Sequence, residues 1–311
     1  MSLRCPGCGK TYEDRWRCCC GEPLRFEERP LPSVTDPTEL DPREGLWTFS
    51  EFLPVERRVS LGEGYSPLVD APAWDAAFKL EYVFPTGSFK DRGATTILSR
   101  ALEVGADRVI VRVEGAREDV TDACVDAVEA GKGWYASHAW NPAFFAGTAT
   151  MAHEIAHQRD WSAPDAVVMP LGHGTMFLGA YRGFRQLLDA GWIDRLPKLL
   201  GAQAAGYAPI AATLHDGADA SSDNGIADGI RIREPVQKTA ILGAIEESGG
   251  DAIAVSESDT ATELDRLHEA GFYTESTCAV APAALRTYRE RGVVEPDDDV
   301  VVPLSGSGLK Q

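Results

Sequence analysis

One lysine stands out for chemistry. In Pro85-Thr86-Gly87-Ser88-Phe89-Lys90-Asp91-Arg92-Gly93, Lys90 opens a helix predicted from the spacing of Leu98, Ala101 and Leu102. A lysine there lies near the positive end of the helix dipole and close to Arg92, which favours its neutral form. Neutral lysine is a nucleophile that forms Schiff bases with carbonyl compounds. The plain alternative is a solvated lysine at an ordinary helix start.

Two further segments bear on that choice. Pro170-Leu171-Gly172-His173-Gly174-Thr175 follows an apolar run, Ala166 to Met169, and opens a helix through Leu188. Glycines there let backbone amides approach an anion, and the helix N-terminus favours a phosphate. An ordinary strand-to-helix turn would look the same. Leu304-Ser305-Gly306-Ser307-Gly308 follows the last predicted strand, Val300 to Leu304. A hydroxyl at a strand's carboxyl end can serve a ring nitrogen, and crevices at such ends are where open α/β sheets bind ligands.

A metal site is predicted at the start of the chain. Five of the seven cysteines fall in the first 20 residues, as Cys5-Pro6-Gly7-Cys8 and Cys18-Cys19-Cys20. Two paired thiolate sites at this separation can close a tetrahedron on Zn²⁺. Cys5, Cys8, Cys18 and Cys20 are the expected ligands and Cys19 the spare, although the choice among the last three is open. Four thiolates leave no position for catalysis, so the metal is structural. A disulfide pair or idle thiols are the alternatives; an intracellular chain disfavours the first and the crowding of thiols the second.

The elements that must position these groups alternate. Val109 to Val113, Ala166 to Pro170, Lys198 to Gln203, Ala252 to Val255 and Val300 to Leu304 read as strands, with helices between them. Gly105 is a helix stop. Val120, Cys124, Ala127 and Val128 share a helix face, which makes Cys124 a small core residue. This is an α/β protein with a largely parallel sheet. Three regions are expected: a zinc-ribbon-like module over 1–25, a proline-rich arm over 26–60, and a body over 61–311 with a small subdomain near 91–145.

Composition excludes other classes. The 311 residues carry 30 Lys plus Arg against 48 Asp plus Glu, a net charge of −18. So acidic a chain is not built to grip nucleic acid or an anionic membrane. No apolar stretch approaches a membrane span and no signal core opens the chain, which points to a cytoplasmic protein. Only seven basic residues are lysine, as in proteins of salt-accumulating halophiles; an acidic, arginine-preferring proteome is the simpler account.

These motifs together resemble the threonine synthase branch of the fold-type-II pyridoxal 5'-phosphate (PLP) enzymes, the tryptophan synthase β-like group. Leu61-Gly62-Glu63-Gly64-Tyr65-Ser66-Pro67-Leu68 is similar to the family's LGEGxTPL entry, and Pro85 to Gly93 to its PTGSFKDRG segment. Gly172 to Thr175 resembles its phosphate loop, and Ser305 to Lys310 its TGxGLK ending. The cysteines resemble the zinc ribbon of some archaeal members. The resemblance implies that Lys90 carries PLP, that Gly172, His173, Gly174 and Thr175 hold its phosphate, and that Ser305 bonds the pyridine nitrogen. It further implies a small amino-acid substrate, with Ser66, Ser88 and Asn141 as contacts, and a homodimer. The family's reaction is conversion of O-phosphohomoserine and water to threonine and phosphate, with the lysine moving protons.

One family segment has no counterpart. After the lysine helix the family has a strand, a Ser/Thr-Gly-Asn loop that binds substrate carboxylate, a helix, a strand and a helix. Here Gly105 to Val111 resembles the strand before that loop and runs directly into Arg112 to Arg117, which resembles the strand after it. The shortfall is about 40 residues at ordinary element lengths. Residues 108–114 then form one continuous strand, the small domain is truncated, and the floor of the substrate site is lost. Phe84 also stands where the family has asparagine. Three readings follow: an active threonine synthase-type enzyme, a catalytically impaired PLP-binding or regulatory paralogue, and a threonine or serine dehydratase-type lyase.

Overall fold

A computed structural model describes residues 1–33, 37, 40–106, 117–215 and 223–310. The chain opens with three short strands, β1 (Leu3–Arg4), β2 (Thr11–Tyr12) and β3 (Arg25–Phe26), antiparallel in the order β2-β1-β3. Leu3, Cys5, Cys18 and Leu24 are its buried core, too little apolar surface to hold such a module alone. It docks on the body through Trp16, whose ring meets Tyr135 and Trp140 edge-on. Trp134 Nε1 reaches back to Asp14 at 3.0 Å.

The proline-rich stretch that follows is drawn into the interior. A 3-10 segment, Pro42–Phe52, kinks at Gly45 and buries Leu46, Trp47, Phe49 and Phe52. Phe49 and Phe52 join the main core.

The body is built on six strands: β4 (Leu68–Ala71), β5 (Ala76–Lys79), β6 (Ala166–Pro170), β7 (Lys198–Ala204), β8 (Asp251–Val255) and β9 (Val300–Pro303). Their order is β4-β5-β9-β6-β7-β8. All neighbours are parallel except β4 and β5. Central β6 is buried on both faces, as its unbroken apolar run requires. Val167 and Met169 face one core, with Phe177 and Phe184. Ala166 and Val168 face the other, with Cys278 and Tyr288. The predicted strands within the described residues therefore occur, with ends shifted by a residue at most.

Helices cover both faces: α1 (Lys90–Glu103), α2 (Arg117–Glu129), α3 (Pro142–His157), α4 (Thr175–Asp189), α5 (Ala211–Leu214), α6 (Lys238–Ser248), α7 (Glu257–Glu269) and α8 (Ser276–Glu290). Small residues set the α1–α3 spacing. A Cβ on Gly147 would collide with the Arg92 carbonyl oxygen, and one on Gly93 with the Phe144 ring. Gly105 ends α1 at φ 80°, donating to the Leu102 carbonyl.

One expectation is corrected and one falls outside view. Cys124 is half-buried on α2, not a core residue, because α2 keeps much of its surface in solvent. The continuous strand expected over 108–114 lies outside the described residues. Among the described residues no strand lies between β5 and β6, and no helix is long and apolar enough to cross a membrane.

Candidate active site

Parallel β9 and β6 are neighbours, so whatever follows their carboxyl ends shares one edge of the sheet. Adjacent strands lie about 4.8 Å apart. Gly172 to Thr175 follow β6 and lead into α4; Ser305 follows β9. The lysine segment is bonded to the second of these. Phe89 N donates to Ser305 O at 2.9 Å and Ser307 N to Gly87 O at 2.9 Å. Ser88 and Gly306 pair as an isolated bridge. Lys90, Ser305 and the glycine loop thus meet at the sheet's carboxyl edge.

Local sequence explains why Lys90 opens a helix here. Gly87 takes φ 71° in the turn, and its amide donates to Phe84 O at 2.7 Å. Asp91 folds back from the first turn of α1, accepting from Thr86 N at 2.9 Å and from the Thr86 hydroxyl. Ser88 Oγ accepts from Lys90 N at 3.4 Å. Lys90 itself is exposed, with its ammonium 4.8 Å from the Phe89 ring centre.

The glycine loop turns sharply into α4. Gly174 caps the helix at φ 80°, and a Cβ there would meet Ile241. Both facts require glycine. The first amides of α4 have no acceptor within the helix, so they and the helix dipole face whatever lies beyond. His173 stands against His138, ring centres 5.7 Å apart.

Ser305 is buried, with Oγ 3.4 Å from Cys278 Sγ. Burial, helped by the charge of Glu275, pushes the Cys278 thiol up to about 11. It therefore stays protonated at neutral pH. Glu275 heads α8, and its carboxylate lies where a Cβ on Gly306 would be. Burial raises the Glu275 carboxyl, against the pull of Lys310 and then Lys90. Sequence reasoning missed both Glu275 and Cys278. An acid directly before a helix was the available signal for Glu275; Cys278 had none.

Two predicted substrate contacts are engaged elsewhere. Asn141 caps α3, its Oδ1 accepting from Ala143 N at 2.9 Å. Ser66 donates to Glu81 Oε1 at 2.7 Å inside a buried ion cluster. Arg92, Lys79, Glu81 and Glu154 form that cluster, all 0% exposed. Arg92 donates to both Glu81 oxygens at 2.6 and 2.7 Å, and to both Glu154 oxygens at 2.6 and 2.7 Å. Arg92, expected to lie close to Lys90 and favour its neutral form, has its charge met by these two carboxylates. Two residues along a helix is about 200° of rotation, so the two side chains leave on opposite faces. Phe84, in place of an asparagine, lies under the Arg92 guanidinium at 4.8 Å.

In the N-terminal module, the sulfurs of Cys5, Cys8, Cys18 and Cys20 lie within 4.8 Å of one another. Cys19 points away to Lys10 Nζ, at 3.2 Å. No cysteine is in a disulfide.

The parallel sheet, the helices on both faces and the ligand edge define a class, and comparison with known proteins names it. The sequence profile of the pyridoxal-phosphate dependent enzymes matches residues 103–306, and the chain belongs to that family. Within it, the chain is 31% identical to a threonine synthase of Methanosarcina acetivorans, over 85% of this chain and 80% of that one. It is 29% identical to a threonine synthase of Methanocaldococcus jannaschii, over 100% of this chain and 93% of that one. That alignment runs to 378 positions against 311 residues here, so several dozen residues of the relative have no counterpart. The fold is similar to an L-serine ammonia-lyase from Rhizomucor miehei, with TM-score 0.59 and 18% identity over 78% of this chain and 93% of that one.

Proposed function

We propose that this chain is a PLP-binding protein of the threonine synthase type, with Lys90 as the residue that holds the cofactor. One observation carries the reading: the main-chain bonds from Phe89 N to Ser305 O and from Ser307 N to Gly87 O draw the lysine segment to the end of β9, the neighbour of β6 and its glycine loop. The donor set suits the cofactor. A helix N-terminus with unused amides behind Gly172–Thr175 suits a phosphate dianion. The Ser305 hydroxyl suits a neutral ring nitrogen, and the exposed Lys90 amine an aldehyde. Bound there, the cofactor would act as an electron sink that makes a substrate's carbon-bound protons acidic.

The chain's own residues then divide the work. Lys90 Nζ moves the proton, since it is exposed and its segment is tethered at the edge. Ser88 fixes the start of its helix. Glu275 lies beside Lys310 and Lys90 as a counter-charge, its carboxyl raised by burial against the pull of both lysines. The substrate on this reading is O-phosphohomoserine, converted with water to threonine and phosphate.

A second reading has a specific observation in its favour. The Methanocaldococcus jannaschii alignment leaves several dozen positions without counterpart in this chain, enough to include the loop expected to be missing after α1. A protein without that loop holds cofactor but clamps substrate carboxylate poorly, which describes a catalytically impaired or regulatory paralogue. A serine or threonine lyase is the third reading.

Absorbance and product analysis separate them. Protein loaded with PLP should absorb near the visible edge, and Lys90→Ala should lose the band. Threonine formed from O-phosphohomoserine supports turnover; phosphate release without threonine indicates a degraded lyase; a loaded protein that yields neither is the paralogue. A protein that PLP cannot colour overturns all three.

We also propose that the four-cysteine cluster binds structural zinc. A tetrahedral zinc thiolate site needs sulfurs about 3.8 Å apart. Pairs at 3.4 and 3.6 Å, and a set within 4.8 Å, suit that requirement. The module over 1–25, the arm over 26–60 and the body over 61–311 are the corresponding domains. A homodimer, a cytoplasmic setting and adaptation to high salt complete the proposal, the last resting on net charge −18 and seven lysines.

A further inference from the structure

A cavity of about 630 Å³ lies between the N-terminal module, the arm and helices α3, α4 and α6. None of Lys90, Gly172 to Thr175 or Ser305 lines it. Its size is that of a small-molecule site. Phe26, Phe52 and Phe145 line it, offering aromatic surface from the arm side and from α3.

Its polar lining is mixed, with Arg25, Arg29 and Arg182 set against Glu22, Glu27, Glu28 and Glu247. Arg182, on α4, lines the cavity with its guanidinium 4.5 Å over the Phe145 ring. No carboxylate among the described residues pairs with it, although the chain carries 48 acids. Glu22, Glu27 and Glu28 line the side of the N-terminal module and arm and are exposed, and two acids beside α4 are taken. Glu247 pairs with Arg185 and accepts from Tyr181, while Asp189 pairs with Arg185 and Arg29. Burial, with Arg25 and Arg29 adding to it, brings the Arg182 pKa down to about 9, the response of a cation that lacks a counter-charge.

A second donor lies in the same wall. Gln237 heads α6, is 3% exposed, and lines the cavity. Its Nε2 is buried without an acceptor. A buried donor left unmade costs free energy that an acceptor would restore. The α6 N-terminus has no side-chain cap either. An anionic oxygen acceptor is what these groups lack together.

We infer that this cavity binds a small organic carboxylate with an aromatic body, its carboxylate on Arg182 and its ring among Phe26, Phe52 and Phe145. The site is separate from the cofactor edge but shares α4 with it. Arg182 lies seven residues after Thr175, about 10 Å along the helix. Pro6 and Gly7, inside the first cysteine knuckle, form part of the opposite wall. A ligand here would brace the N-terminal module against the helix that opens at the glycine loop.

The test titrates the full, metal- and PLP-loaded chain with 3-phenylpropanoate and, separately, with neutral 3-phenylpropanamide, following ligand NMR signals. The acid should bind at least about tenfold more tightly than the amide, as a charge-assisted bond to arginine implies. Arg182→Gln should reduce the acid to the level of the amide. Lys90→Ala should leave acid binding unchanged, which separates this site from the cofactor edge. Gly243→Phe guards against misfolding of the first variant. Gly243 lines the cavity and a Cβ there meets nothing within 4 Å, so a ring should fill the space and block binding. Equal binding of acid and amide, loss of binding in Lys90→Ala, or no saturable binding up to tens of millimolar overturns the inference.

Discussion

Phe89 donates its backbone amide to the carbonyl of Ser305, at 2.9 Å, and so joins the lysine segment to the end of β9. The bond spans most of the chain in sequence. It leaves Lys90, the next residue, exposed at the head of α1. The fold therefore presents this amine at the surface, against the Phe89 ring. Lys90→Ala should abolish the visible-edge absorbance of PLP-loaded protein while changing stability by no more than about 0.5 kcal/mol. Absorbance and chemical denaturation on the same preparation check both halves.

Gly174 makes a complementary prediction about the phosphate end. Its φ of 80° and the nearness of Ile241 both exclude a side chain. Gly174→Ala should cost about 1–2 kcal/mol from the left-handed backbone alone. It should also turn the first amides of α4 and weaken cofactor retention. Dialysis followed by PLP titration measures that loss, with the Lys90→Ala protein as the blank.

The buried ion cluster predicts a stability effect without a direct chemical one. Arg92 bonds Glu81 and Glu154 with no solvent exposure on any of the three. Burial opposes the charge of Arg92, but the two carboxylates outweigh it and hold its pKa above the ordinary value. Arg92→Met leaves two buried carboxylates with one lysine. A loss of about 3–5 kcal/mol is expected, typical for breaking a buried pair from one side. A urea midpoint unchanged from wild type would contradict it.

What the sequence made legible and what it hid divide along physical lines. Strands such as Ala166–Pro170 were visible because burial on both faces demands an unbroken apolar run. The glycine turn before α4 and the helix start at Lys90 were visible because glycine at a positive φ and the residues of a helix start are local requirements. The ion cluster was not, because Lys79, Glu81, Arg92 and Glu154 read as ordinary surface charges until β5, α1 and α3 close over them. Ser66 and Asn141 were noticed for their hydroxyl and amide types, but their partners in the fold, Glu81 and the Ala143 amide, are set by packing. Glu275 reaches the site only because α8 begins beside Gly306.

The cysteine cluster gives a prediction with an internal control. Cys5, Cys8, Cys18 and Cys20 gather their sulfurs, while Cys19 bonds Lys10. Cys8→Ser and Cys20→Ser should each lower bound zinc well below one per chain; Cys19→Ser should not. Chelation should also loosen the packing of Trp16 on Tyr135 and Trp140, because the module's own core is so small. Metal analysis and tryptophan emission, measured together, would expose a failure of either part.

Acid stability should be set first by His153. It is fully buried between Phe49 and Phe52, and among the described residues neither ring nitrogen has a hydrogen bond of good geometry. Burial outweighs the charge of Glu154 and lowers its pKa from 6.5 to about 3. The folded protein thus refuses a proton that the unfolded chain accepts. Stability is complete above the unfolded value and declines as pH falls below about 6.5, by up to roughly 1.4 kcal/mol per pH unit, until the folded pKa is reached. Glu154 adds a separate decline at lower pH. Burial opposes its charge, but Arg92 and Lys79 pull its carboxyl down to about 2, so its contribution fades between about 4.5 and that value. His153→Leu removes the first decline and keeps the second. Denaturation midpoints measured from pH 7 to pH 4 should therefore flatten in the variant; equal slopes in both proteins would mean that His153 already carries its proton in the fold.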